Sequence, residues 1–246
     1  MPSGYTYGGR HISEFSMEMT GMPDIPITAP FDNLTEDQAG RDGGWDFGVQ
    51  YKPRIIPVDH YIWTRDKNQT SQIAREAGGH FNPRLGSRPL IFDDEPDKMY
   101  LARLSEQFSL EGKFQAFNEF SLEFICHDPF TYSVEEFTET VSGSGIIEQI
   151  GTHVSRPILV IEHNGGSATI TNNAPDGQVQ TVVFASNTPS GQYTIDMKAG
   201  TVKRGSEGGD RYIDSLTWFD LSQGENTVTH TANISSLTVK YRHTWL

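Results

Sequence analysis

The chain has 246 residues, 35% of them hydrophobic and 21% charged, with 24 Gly and 13 Pro. That is enough apolar material for a core, with a turn density that favours short strands over helices. A formal charge of −13 supplies no basic face for tight binding to the nucleic-acid backbone, and a single cysteine, Cys126, excludes an intrachain disulfide. The length suits two modest domains or one large β domain.

Residues 5–12 read as a short strand. Residues 20–48 hold Met22-Pro23, Ile25-Pro26 and Ala29-Pro30, then Asn33, Asp37, Gly40, Asp42, Gly43 and Gly44. Pro and Gly at this density break helix and sheet alike, so a long loop is expected, either a binding arm or a disordered surface segment. Residues 54–63 form the next strand, which Pro57 should confine to an edge or a bulge. Residues 70–77 are the one expected helix, with Ile73, Ala74 and Ala77 as its apolar stripe and Gly78-Gly79 as a left-handed stop. Residues 89–93 and 98–111 read as strands around the charged turn Asp93–Asp97. Tyr100, Ala102, Leu104, Phe108 and Leu110 share one face of the second.

The segment Phe117–Phe130 alternates strictly. Phe120, Leu122, Phe124 and Cys126 fall on one face, and Glu119, Ser121 and Glu123 on the other. A period of two marks a strand with one face in a core and one in water, and Asp128-Pro129 ends it.

Beyond residue 140 the texture shifts to Ser, Thr, Val, Ile and Gly. Strands are expected at 157–162, 167–172, 178–185, 192–197, 215–221, 226–231 and 236–245, a β-sandwich pattern. In the last, Leu237, Val239, Tyr241, His243 and Trp245 alternate with polar residues. Ser142-Gly143-Ser144-Gly145 reads as a flexible linker edge. Charge divides unevenly too. Residues 1–140 carry 12 Lys+Arg against 23 Asp+Glu (−11), and residues 141–246 carry 7 against 9 (−2).

Catalytic chemistry finds little support. The eight histidines lack metal-ligand spacing. Glu119 and Glu123 stand about 13 Å apart on one strand, too far for a glycosidase pair. Asp93–Asp97 lacks the ligand spacing of a calcium loop. No nucleophile elbow or phosphate-cradling Gly loop occurs. Trp218, Tyr212, Tyr193 and Trp245 are aromatics that could stack on sugars, although their alternation with polar neighbours places Trp218 and Trp245 in strand cores. No signal peptide or membrane-spanning run is visible, so a soluble chain made in a cytoplasm, without membrane insertion, is expected.

Four segments in order resemble the N-terminal domain of siphophage distal tail (Dit) proteins: Gly40–Gly44, Arg54–Val58, Leu90–Tyr100 and the run Phe120-x-Leu-x-Phe124-x-Cys-x-Asp128-Pro129-Phe130. Arg156–Ile161, Tyr193–Asp196, Gly224–Val228 and Val239–Leu246 are similar to that family's galectin-like domain. The resemblance implies a mainly β, non-enzymatic protein without cofactor. It would have an N-terminal ring-forming domain over 1–135, a sandwich or split barrel with one short helix and a projecting arm, and a galectin-like antiparallel β-sandwich over 136–246. It further implies a homo-hexameric hub at the virion tail tip, joining the tail tube protein to a tail-associated lysin or tip protein and to receptor-binding proteins, with DNA passing through a central channel. Phe31, Leu34, Arg41, Asp42 and Trp45 are the expected interface residues of the arm. The alternative is a carbohydrate-binding protein that grips a cell-wall glycan through Trp218 and Tyr212.

Overall fold

The computed structural model describes residues 4–40, 42–64, 67–107 and 117–246. The chain divides into two compact units, one running to Thr131 and one spanning Tyr132–Trp245. The first contains β1 (Tyr5–Tyr7), β2 (Arg10–His11), β3 (Met17–Met19), β4 (Phe31–Asp37), β5 (Gly44–Tyr51), β6 (Arg54–Trp63), helix α1 (Lys67–His80), β7 (Arg88–Phe92), β8 (Lys98–Leu104) and β9 (Phe117–Cys126). Its main sheet runs β2-β1-β7-β8-β9-β6-β3, with every neighbouring pair antiparallel.

The longest ladder of this sheet is the pairing of β6 with β9, unbroken from Arg54↔Cys126 to Trp63↔Phe117. The alternating patterns of the two strands match across it. Ile56, Val58, His60 and Ile62 are buried with Leu122, Phe124 and Cys126, while Asp59, Glu119 and Ser121 are exposed. Phe124 sits among rings, with Tyr5 at 5.7 Å edge-on and Tyr7 at 5.2 Å, a geometry that adds to simple area burial. Pro57 is tolerated because β3 covers the far side of β6 only from His60 to Ile62, so β6 is an edge at Pro57.

Residues 5–12 form a hairpin instead of one strand. Gly8 and Gly9 both take positive φ (55° and 85°) between β1 and β2, as a two-residue loop matched to strand twist requires. The helix runs past the expected stop, and neither Gly78 nor Gly79 has positive φ. One further bond of its own ladder and two anchors to other segments carry it on. The Ala77 carbonyl accepts the Phe81 N–H at 2.8 Å, His80 Nε2 lies 2.8 Å from the Tyr7 carbonyl, and Arg88 donates to the His80 carbonyl. The strand expected at 98–111 ends at Leu104; Tyr100, Ala102 and Leu104 are buried, and Phe108 and Leu110 lie outside the described residues.

The second unit follows the short β10 (Thr131–Ser133) with β11 (Phe137–Val141), β12 (Ser144–Gln149), β13 (Ile158–His163), β14 (Ala168–Asn173), β15 (Val179–Phe184), β16 (Gly191–Asp196), β17 (Thr201–Arg204), β18 (Glu207–Gly208), β19 (Ile213–Leu216), β20 (Gly224–His230), β21 (Ile234–Tyr241) and β22 (Thr244–Trp245). Sheets β11-β21-β13-β16-β17-β18 and β12-β20-β14-β15-β19 pack as a sandwich over one core. Leu159, Ile161, Leu237 and Val239 come from the first sheet, and Ile170, Val182, Phe184 and Val228 from the second.

Several expectations are corrected here. Ser142–Gly145 is no linker: it turns β11 into β12, with Gly143 at φ 78°. The strand expected to 245 breaks at Arg242–His243, although His243 remains buried. The strand expected at 215–221 ends at Leu216, leaving Trp218 on a loop and 42% exposed instead of in a core.

Two measurements follow from this core. Phe124→Ala is expected to destabilise by about 3–5 kcal/mol in chemical denaturation, since it empties the ring cluster. Glu123→Ala should cost under about 1 kcal/mol, because it faces outward and loses one hydrogen bond from Ser105. Acid should also weaken the fold through His60. Burial holds its pKa down at about 4, and its Nε2 lies 2.9 Å from the Tyr5 hydroxyl. A neutral native ring that must charge on unfolding stabilises fully above the unfolded pKa near 6.5. That stability drains as pH falls toward 4, to a total on the order of 3 kcal/mol. His60→Phe should flatten the stability–pH curve across that window, which urea melts at several pH values would measure.

Candidate interaction surface on the projecting hairpin

The segment expected to be a loop is a two-stranded hairpin. β4 and β5 pair only with each other, in register from Phe31↔Tyr51 to Asp37↔Gly44. The prolines lie outside its strands, Gly44 opens β5, and Gly48 sits where β5 takes up an extra residue. The prolines stop at Pro30, and Gly40 and Gly43 take positive φ (85° and 78°) in the tip. Every strand residue of the hairpin is exposed.

One extra residue enters β5 between Asn33↔Val49 and Thr35↔Asp46, where Gly48 has φ 92°. A bulge of this kind exchanges the faces of the residues beyond it. Near the root, Phe31, Val49 and Tyr51 therefore share one face. Toward the tip, Leu34 and Trp45 share the other with Glu36. The hairpin is apolar on both faces, with Phe47 63%, Val49 51% and Trp45 49% exposed. A two-stranded ribbon of this kind is marginal alone in water, and exposed apolar area on this scale marks an interaction site.

The root is braced four ways. The Pro30 carbonyl accepts the Lys52 N–H at 2.7 Å. Lys52 pairs with Asp32 at 2.9 Å. Tyr51 meets the edge of Phe130 at 5.3 Å. Arg54, only 1% exposed, donates from Nε to the Pro129 carbonyl (3.0 Å) and from Nη1 to the Pro26 carbonyl (2.6 Å). Its guanidinium lies 5.7 Å from the Tyr100 ring centre. The flanks of the hairpin are thus pinned to the main sheet while its body projects.

Of the arm residues expected from sequence, Phe31, Leu34, Asp42 and Trp45 lie on the exposed hairpin, and Arg41 lies outside the described residues. Phe31 stands at the root and Trp45 toward the tip, so they belong to different faces and not to one patch. Phe47, Val49 and Tyr51 were missed, although the alternation Trp45-x-Phe47-x-Val49-x-Tyr51 after Gly43-Gly44 signals a strand.

The two residues of the sugar-stacking alternative differ in their surroundings. Trp218 packs near Gly200, at the start of β17. Tyr212 lies edge-on to Tyr193, which pairs with Arg204 at the end of that strand. Tyr212 is half-buried against the sandwich core, whereas Trp218 is 42% exposed. Among the described residues, no group of three or more His, Cys, Asp or Glu could hold a metal ion.

Comparison with known proteins fits this architecture. Residues 7–126 match the phage tail protein RIFT-related domain family. The distal tail protein of Bacillus phage SPP1 is 32% identical over 123 residues, which is 49% of this chain and 47% of that protein, so the match spans about half of the relative's length. In three dimensions, the crystal structure of SPP1 Dit, described as a paradigm of the hub adsorption apparatus in phages infecting Gram-positive hosts, superimposes over 99% of both chains with a TM-score of 0.81 and 16% identity. A chain of the phage P2 baseplate in its activated conformation with Ca shares the fold less closely, at a TM-score of 0.56 and 10% identity over 99% of this chain and 98% of that one. With the domain match, the sequence relative and the fold shared along the whole chain in agreement, the protein belongs to the distal tail protein family of siphophages.

Proposed function

We propose that this chain is a structural hub of a phage tail tip, acting without catalysis or cofactor. Six copies close into a ring through the first unit. The ring joins the tail tube protein to a tail-associated lysin or tip protein and offers the second unit to receptor-binding proteins. The reading is carried by the hairpin arm, an apolar, two-faced ribbon with no further partner strand among the described residues. Such an arm suits the heterologous, head-to-tail contacts that close a ring. The −11 charge of residues 1–140 suits a channel that DNA passes without sticking, since acidic walls release no counterions from the duplex. Glycan binding by Trp218 and Tyr212 is the weaker reading, because Tyr212 is half-buried against the core and edge-on to Tyr193, which leaves Trp218 as the exposed ring.

The ends of the arm are already hydrogen-bonded between Pro30 and Lys52, so a short glycine bridge can replace residues 31–51. Native mass spectrometry and negative-stain images of the intact chain at high concentration should show rings of about 165 kDa, six chains of 27.5 kDa. The bridged variant should run as a folded monomer, and the wild type should show no measurable duplex-DNA binding at low salt. Rings that persist without the arm would remove it from the assembly, and tight salt-sensitive DNA binding would remove the passive channel.

A further inference from the structure

The ring reading leaves open where the arm of one copy lands on the next, and charge narrows the choice. Within the acidic first half, residues 67–92 form a positive island: Lys67, Arg75, Arg84 and Arg88 against Glu76 alone, or +3. The arm is the reverse. Residues 31–51 hold Asp32, Glu36, Asp37, Asp42 and Asp46 against Arg41, or −4.

Side-chain partners sharpen the match. Arg88 is committed within its own unit, donating to the His80 carbonyl and lying 4.4 Å from the Tyr7 ring centre. Arg75 on α1 and Arg84 in the turn after it are exposed, and neither side chain has an ion pair or hydrogen bond among the described residues. Arg103 also lacks an ion pair or hydrogen bond among the described residues, but it stands half-buried on β8, whereas Arg75 and Arg84 are both exposed on one short segment. Next to Arg84, Leu85 is 55% exposed on a one-turn helix that Asn82 caps by accepting the Arg84 N–H at 3.0 Å. On the arm, Asp32 is occupied by Lys52 and Asp46 by the Gly48 N–H. Glu36, Asp37 and Asp42 have no ion-pair partner among the described residues. The other broad apolar surface, the outer face of β6 and β9 with Ile55, Pro57 and Trp63, carries Asp59, Glu119 and Glu123, which would repel an acidic arm.

We propose that the arm of one copy docks on the α1 segment of a second copy, with Glu36, Asp37 and Asp42 meeting Arg75 and Arg84 and the arm's apolar side chains covering Leu85. The proposal rests on the ring reading and adds its acceptor. The contact is heterologous, because arm and acceptor are different surfaces, and so it propagates around a ring. It weakens as salt screens the pairs.

Reversal of charge tests it, with sedimentation velocity on full chains over a concentration series and thermal melts to confirm folding. One variant carries E36K, D37K and D42K, a second R75E and R84E, and a third all five changes. Like charges placed opposite one another cost enough to weaken assembly about tenfold or more in the first and second variants. The third, with complementarity restored in reverse, should recover rings at wild-type concentrations. Rings unaffected by the reversals, or a third variant no better than the first two, would overturn the acceptor while leaving an arm-dependent ring standing. A wild type that stays monomeric up to its solubility limit would overturn the ring reading and the acceptor together.

Discussion

The first unit depends on the register between β6 and β9. That pairing is continuous over the whole length of both strands, and a slip of one residue would turn Phe124 and Leu122 outward and Glu123 inward. The register also sets the root of the arm. It puts Arg54 opposite Cys126 at the end of the ladder, where its guanidinium reaches the carbonyls of Pro26 and Pro129. Burying a cation is costly unless its donors are satisfied. Here two backbone carbonyls and the Tyr100 ring take up most of that demand, though Nη2 finds no partner. The same ladder thus builds the core and fixes the direction in which the hairpin leaves it.

The hairpin runs against the rule that governs the rest of the chain. Elsewhere, an alternating strand buries its apolar face. In β4 and β5 both faces stay in water, and unpaired backbone edges are open as well, an arrangement prone to unwanted pairing. Its acidic side chains oppose that tendency. Five carboxylates against one arginine make arm-to-arm stacking repulsive, so the apolar ribbon can persist without aggregating. The same charge would favour a cationic partner surface over an acidic one.

Much of the fold was legible because period-two alternation and turn chemistry are local signals. Residues 117–126, 54–63 and the strands from 158 to 184 fell where their patterns put them. Where the reading failed, tertiary terms had overridden local preference. Gly78 and Gly79 stayed helical because His80 and Phe81 are anchored beyond them. Trp218 sits on a loop with its neighbour Phe219 buried in its place, since the spacing of Leu216 and Trp218 does not say whether a ladder partner exists. The hairpin was read as a loop because the prolines at 23, 26 and 30 were averaged with the strand that follows them. The acceptor surface had no sequence signature at all: that Arg75 and Arg84 are unpaired while Arg88 is not can be seen only in three dimensions.

The second unit shows why an unmet requirement in the first is informative. Its buried polar side chains largely answer one another. Asn172 donates to Gln180 and to the Asp220 carbonyl, both at 3.1 Å. Asn226 donates to the Ser222 and Gly224 carbonyls, and Gln149 lies 2.5 Å from His243. Amides matched in this way fix strand register from within, because a slip would strand polar groups in the core. With apolar side chains on its inner faces, the sandwich closes over its own core. The first unit closes its core as well, yet it extends a ribbon that cannot bury either face against its own chain. A braced, two-faced ribbon of this kind keeps its apolar side chains in water unless a second surface covers them, which is what the proposed ring would supply; the sandwich, closed over its own core, makes no such demand.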